Sequence, residues 1–184
     1  RLILGLEPLD GGEIRPGHNA RLGYFSQNQL DTLNPALSVF ETIQDACPTL
    51  TNTEARGLLG RFLFTGEQVF KPVSVLSGGE KSKLALAKLM LSGPNTLLLD
   101  EPTNHMDIPT VEFIEQFLMD LDAAVVLAAH DEYLLDNTAT RVFEVDHQRV
   151  YEYEGNYSDY VGQREAMARA LAAKKKRDFN EVKR

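Results

Sequence analysis

At 184 residues, 43% hydrophobic and 25% charged, the chain is sized for one compact domain with a small lobe or tail. Its longest apolar stretch, 123–129, falls far short of the ~20 residues a membrane helix needs, and a lone Cys47 excludes an internal disulfide. The net charge of −8 is uneven: residues 163–184 carry +5 and the rest −13, which points either to a nucleic-acid or ribosomal partner or to a solvated Lys-rich helix. With no charged-then-apolar leader, a reducing, cytoplasmic compartment is expected, and an initial Arg in place of Met suggests a piece of a longer chain.

In chain order, residues 1–6 are apolar and break at Glu7-Pro8, as the last turns of a helix would. Asp10-Gly11-Gly12 and Arg15-Pro16-Gly17 are turn clusters, and 21–26 reads as a strand with Gln27 at its exit. Ser38-x-x-Glu41 and Thr51-x-x-Glu54 are capping boxes, each predicting a helix of roughly ten residues. Leu58, Leu59, Phe62, Leu63 and Phe64 give the second of these an apolar face. Residues from about 28 to 92 therefore form a helical lobe inserted between strands.

A long helix is predicted from Gly79 to Leu91, stopped by Gly93-Pro94-Asn95. Residues 96–99 and 123–129 are wholly apolar runs, as expected of buried strands. Between them Pro109 opens a helix whose Val111, Ile114, Phe117, Leu118 and Leu121 recur at 3.6-residue spacing. His130 ends the second run, before a helix with Tyr133, Leu134 and Leu135. Strands at 142–145 and 150–153 and a final helix from Tyr157 complete the chain. Alternating strands and helices indicate an α/β fold with ligands beyond the strands' carboxyl ends, where Gln27, Asp100, Glu101 and His130 all fall.

Each of these residue types has chemistry suited to that place. Ser77-Gly78-Gly79-Glu80 is a third capping box, but paired glycines weaken a helix start. Close approach of backbone N–H groups to an anion, helped by the helix dipole, gives them a purpose, and Lys81 and Lys83 add charge. Asp100 at a strand end can hold Mg²⁺, and Glu101 can polarise an attacking water; the plain alternative is a pair of acids capping a helix. Asp107 can cap the helix near Pro109. His130 can bridge a γ-phosphate and the base, or be an ordinary core histidine. Gln27 can touch the metal or its water and report nucleotide state to the lobe. The G-x-x-x-x-G-K-[ST] phosphate loop occurs nowhere in the chain.

These residues together resemble an ATP-binding cassette (ABC) ATPase: Leu76–Glu80 its signature, 96–101 its Walker B strand, 104–107 its D-loop, Ala129-His130-Asp131 its switch histidine and Gln27 its Q-loop glutamine. Glu101-Pro102-Thr103-Asn104-His105-Met106-Asp107 is similar to the ABC-F subfamily, and Arg61-Phe62-Leu63-Phe64 looks most like its second cassette. Tyr153-Glu154-Gly155-Asn156-Tyr157 resembles the segment that closes those cassettes. Met106, Ala129 and Glu132 depart from the usual Leu, Ser and Arg.

The resemblance implies a P-loop NTPase-like cassette with a mostly parallel core sheet and an inserted helical subdomain, truncated at its N-terminus just after the Walker A loop. Residues 1–162 would be the cassette and 163–184 a basic helical tail or linker. It implies ATP and Mg²⁺ as cofactors, Asp100 and Gln27 at the metal, Glu101 and His130 as catalytic groups, and Gln27 and Asp107 at the nucleotide. Ser77, Gly78, Gly79 and Glu80 would serve the ATP of a second cassette in the same full-length chain, so the piece alone would be inactive. ABC-F members lack a membrane domain and mostly act on ribosomes. The alternatives are a transporter ATPase subunit and an SMC-type DNA-repair lobe; the latter carries a very long coiled coil where Gln27 and Ser77 are only fifty residues apart.

Overall fold

Every Ser/Thr-x-x-Glu pattern starts a helix in the computed structural model, which describes residues 2–26, 30, 32–104 and 106–182. Ser38, Thr51 and Ser77 stand in extended backbone, accept the N–H of the Glu three residues on, and donate their own N–H to its carboxylate. The helices they open are α1 (Val39–Ala46), α2 (Asn52–Arg61) and α3 (Gly78–Met90). The chain divides into two compact units, Arg1–His130 and Asp131–Arg184.

In the first unit β1 (Leu22–Ser26), β2 (Thr96–Asp100) and β3 (Ala124–Ala128) form a parallel sheet in that order. The registers place Ser26 beside Asp100 and Asp100 beside Ala128, so the three carboxyl ends are level. Helix α4 (Ile108–Met119) makes the crossover from β2 to β3. Phe25, Leu84, Leu97 and Ile114 are fully buried, filling the core between sheet and helices. The helical lobe has its own buried residues, Val39, Ile43 and Leu59. Its Phe62 ring lies 5.8 and 5.5 Å from those of Phe113 and Phe117, which joins the lobe to α4 through aromatic contacts.

Three expectations are corrected here. Residues 2–6 hold only a 3₁₀ turn at Leu2–Leu4 with no buried side chain, in place of the end of an α-helix. The strand at 124–128 is not buried: among the described residues β3 pairs on one edge only, with β2, and Val126 is 52% exposed. Leu63 does not extend the apolar face of α2, since that helix ends at Arg61 and Leu63 turns outward at φ 64°.

The second unit starts with α5 (Glu132–Thr138), whose first N–H groups are capped by the Asp131 carboxylate. Strands β4 (Arg141–Asp146) and β5 (Arg149–Glu154) pair antiparallel across a two-residue turn, His147 and Gln148, both at positive φ as a type I′ hairpin requires. Asn156 and Asp159 exchange side-chain to backbone hydrogen bonds at the start of α6 (Tyr157–Val182). The Tyr157 hydroxyl donates to Glu132 at 2.9 Å, so the unusual Glu132 has a local partner in this unit. Among the described residues no helix is long and apolar enough to cross a membrane.

Candidate nucleotide site

The apolar run Leu97-Leu98-Leu99 is buried between flanking layers and delivers Asp100 to the exposed end of the central strand. There the Asp100 carboxylate accepts a hydrogen bond from the Tyr24 hydroxyl at 3.3 Å. Tyr24 lies diagonally across from Asp100 on the paired strand, within reach of a long side chain. Sequence reasoning missed it, although its even spacing from Ser26 puts it on the same sheet face as Asp100.

Glu101 leaves the strand in the left-handed region, at φ 50°, while its N–H donates to the Ala128 carbonyl at 2.8 Å. This turns its carboxylate toward the end of β3, where His130 Nε2 is 3.5 Å from Glu101 Oε1. His130 is 98% exposed and Glu101 30% exposed, so the histidine is not a core residue and both groups face the region beyond the sheet. Strand register and the left-handed turn at Glu101 thus bring Asp100, Glu101 and His130 together. Gln27 lies outside the described residues, as does His105. An exposed carboxylate oxygen set at a strand end suits a hard, partly hydrated Mg²⁺ carried in with a nucleotide.

After Glu101 the loop winds in tight turns, with Asn104 N–H bonded to Glu101 O and Met106 N–H to Thr103 O, around a fully buried Pro102. It ends at Asp107, which caps α4 by accepting the Thr110 N–H at 3.1 Å. The Thr110 hydroxyl and N–H, with the nearby Lys83 charge, hold the Asp107 carboxyl below the usual carboxylate range. Thr110 was likewise missed from sequence, which offers no signal for it.

At the start of α3, Ser77 Oγ accepts the Glu80 N–H at 3.2 Å and Glu80 Oε2 accepts the Ser77 N–H at 2.8 Å. The other Glu80 oxygen is 4.0 Å from Lys71 Nζ. The two glycines differ: a Cβ on Gly78 would meet nothing within 4 Å, whereas one on Gly79 would lie against Thr110. Lys83 stands over the rings of Phe64 and Phe113, 6.0 and 5.8 Å from their centres, at the seam between lobe and α4.

Comparison with known proteins identifies the family and the fold. Residues 1–104 match the ABC transporter family. The chain is 44% identical over 160 residues to YdiF of Bacillus subtilis, covering 87% of the chain and 25% of that protein. It is 39% identical to ABC transporter F family member 5 of Arabidopsis thaliana, covering 88% and 23%, and 36% identical to ATP-binding cassette sub-family F member 3 of Mus musculus, covering 87% and 23%. The chain spans about a quarter of the length of these relatives. Among solved structures it superposes on the ATP-binding cassette MJ0796 bound to ADP and Pi, with TM-score 0.61 and 22% identity over 73% of this chain and 63% of that one. It also matches cbiO1 of Clostridium perfringens, with TM-score 0.63 and 26% identity over 80% and 62%. The chain therefore belongs to the ABC transporter family, as an ATPase cassette of ABC-F type.

Proposed function

We propose that the chain supplies most of the hydrolytic chemistry of one cassette in a two-cassette ABC-F protein, coupling ATP binding and hydrolysis to ribosome engagement in the cytoplasm. The observation that carries this reading is the juxtaposition of Asp100, Glu101 and His130 at level strand ends, with His130 Nε2 3.5 Å from Glu101 Oε1. In the proposed division of labour Asp100 would hold Mg²⁺, with Gln27 at the same metal. Glu101 accepts a proton from the attacking water, and His130 fixes the geometry between that carboxylate and the terminal phosphate. Mg²⁺ on ATP would supply charge neutralisation at the phosphates.

Asp107 would sit at the nucleotide through the D-loop, and Ser77, Gly78, Gly79 and Glu80 would close over the ATP of the second cassette. The Glu80 carboxylate is engaged with Ser77 and Lys71, which favours a role in shaping the signature turn. Residues 1–162 would form the cassette, about 28–92 its helical subdomain, and 163–184 a basic tail suited to rRNA. Relatives named as F-family members support this reading over a transporter subunit. The test is co-sedimentation of the full-length Glu101→Gln protein with ribosomes in the presence of ATP. Trapping on ribosomes is expected; ATP-bound protein that stays in the supernatant would count against the ribosomal role.

A further inference from the structure

We propose that Tyr24 is a positioning residue for the metal site: its hydroxyl holds one oxygen of the Asp100 carboxylate and leaves the other for the nucleotide's divalent cation. This role rests on the cassette reading above and deepens it. The Tyr24 hydroxyl donates to Asp100 Oδ2 at 3.3 Å, and among the described residues no other side chain bonds that carboxylate. Asp100 stands exposed at the end of β2, outside the packed core that selects rotamers for Leu97, Leu98 and Leu99. Tyr24, by contrast, is anchored. It lies mid-strand in β1 between buried Phe25 and buried Gly23, where the backbone runs so close to β2 that a Cβ would stand 2.8 Å from Leu97 Cδ2. Register sets the reach: Leu98 pairs with Tyr24 and Asp100 with Ser26, so Tyr24 and Asp100 share one sheet face, two residues apart along the strands. On its other side Asp100 pairs with Ala128, whose methyl has no polar atom to compete for the carboxylate. An ionised carboxylate only accepts; with Oδ2 engaged by the phenol, Oδ1 is the oxygen presented to a hard cation. A freely rotating carboxylate would lose rotamer freedom on taking up the cation and would hold it more weakly. Tyr24 touches no reacting atom in this role and acts through Asp100.

The test is metal-dependent nucleotide binding by the full-length protein, with a fluorescent ATP analogue titrated in EDTA and at rising Mg²⁺. The other cassette is left unchanged throughout. Tyr24→Phe keeps the ring and loses the hydroxyl. It should raise the Mg²⁺ concentration for half-maximal binding about fivefold, the effect of one hydrogen bond, with affinity in EDTA and the melting temperature little changed. In ATPase assays its half-saturating Mg²⁺ should rise alike, while kcat at saturating Mg²⁺ stays within about twofold of the parent. Tyr24→Leu loses the ring as well, and should add a lowered melting temperature to the same Mg²⁺ shift. A Tyr24→Phe protein with the parent's Mg²⁺ dependence would overturn the proposal, whatever Tyr24→Leu does. So would an equal loss of affinity in EDTA, which would place the effect of the hydroxyl on the nucleotide or the fold and not on the metal. A parent that binds no nucleotide, or binds it without response to Mg²⁺, would instead overturn the cassette reading, and this inference with it.

Discussion

Glu101 holds a backbone conformation that costs a side-chain-bearing residue about 1–2 kcal/mol. The cost is sustained by its N–H bond to Ala128 and by the buried Pro102 that follows. What it gains is aim: the strand stops, the chain turns sharply, and the carboxylate meets His130. Glycine adopts this φ freely, so Glu101→Gly should hold or raise stability by up to about 1 kcal/mol while abolishing ATP hydrolysis by the full-length protein. The check is the denaturant midpoint at unchanged m-value alongside the hydrolysis rate; a clearly lowered midpoint would mean that the turn is not strained. Asp100 and Glu101 were legible in the sequence because a buried apolar run can end only where the chain meets solvent. Thr110 was not. It stands beside Gly79, thirty-one positions away, and no local pattern encodes a contact between two helix starts.

Helix starts and helix ends differ in how openly they are written. The three capping boxes are local hydrogen-bond exchanges over four residues, so Ser38, Thr51 and Ser77 announce α1, α2 and α3. The end of α2 carries no glycine, and Arg61-Phe62-Leu63-Phe64 reads as more apolar helix. In the structure the Phe64 N–H bonds to Leu59 O and the Leu63 N–H to Gly60 O, which is the Schellman arrangement, with Leu63 at the left-handed position. Leu63 is also 56% exposed, so it forfeits little packing if replaced. Leu63→Gly should therefore stabilise the protein by about 1 kcal/mol, raising the thermal midpoint by a few degrees. A fall in the midpoint would show that the exposed leucine makes contacts worth more than its backbone strain. The β4–β5 turn, by contrast, is poorly announced, since His147-Gln148 lacks the Asn-Gly signature of its turn type.

For the whole molecule, the alternation of apolar runs and helices was enough to give the α/β class, while the mostly parallel sheet came from the family resemblance and the strand order from the structure. The same pattern overstated burial. An apolar run reports what a strand can be covered by, not what covers it, and β3 pairs with one neighbour among the described residues while Val126 is half exposed. Catalytic logic follows the same division. The chain holds two strand-end carboxylates, a histidine 3.5 Å from one of them and the Ser77–Glu80 helix start, yet its sequence has no G-x-x-x-x-G-K-[ST] loop to seat the β- and γ-phosphates. A carboxylate base accelerates hydrolysis only when the phosphate is fixed beside it; positioning and charge stabilisation supply most of the rate in phosphoryl transfer. On the proposed roles, Glu101 in the isolated chain would have no held phosphorus beside it. The expected outcome is that the purified 184-residue chain releases phosphate from ATP no faster than its Glu101→Gln variant at matched concentration. A rate above that variant, abolished also by His130→Ala, would show that the strand-end groups hold ATP without a phosphate loop and that the chain is a self-sufficient ATPase.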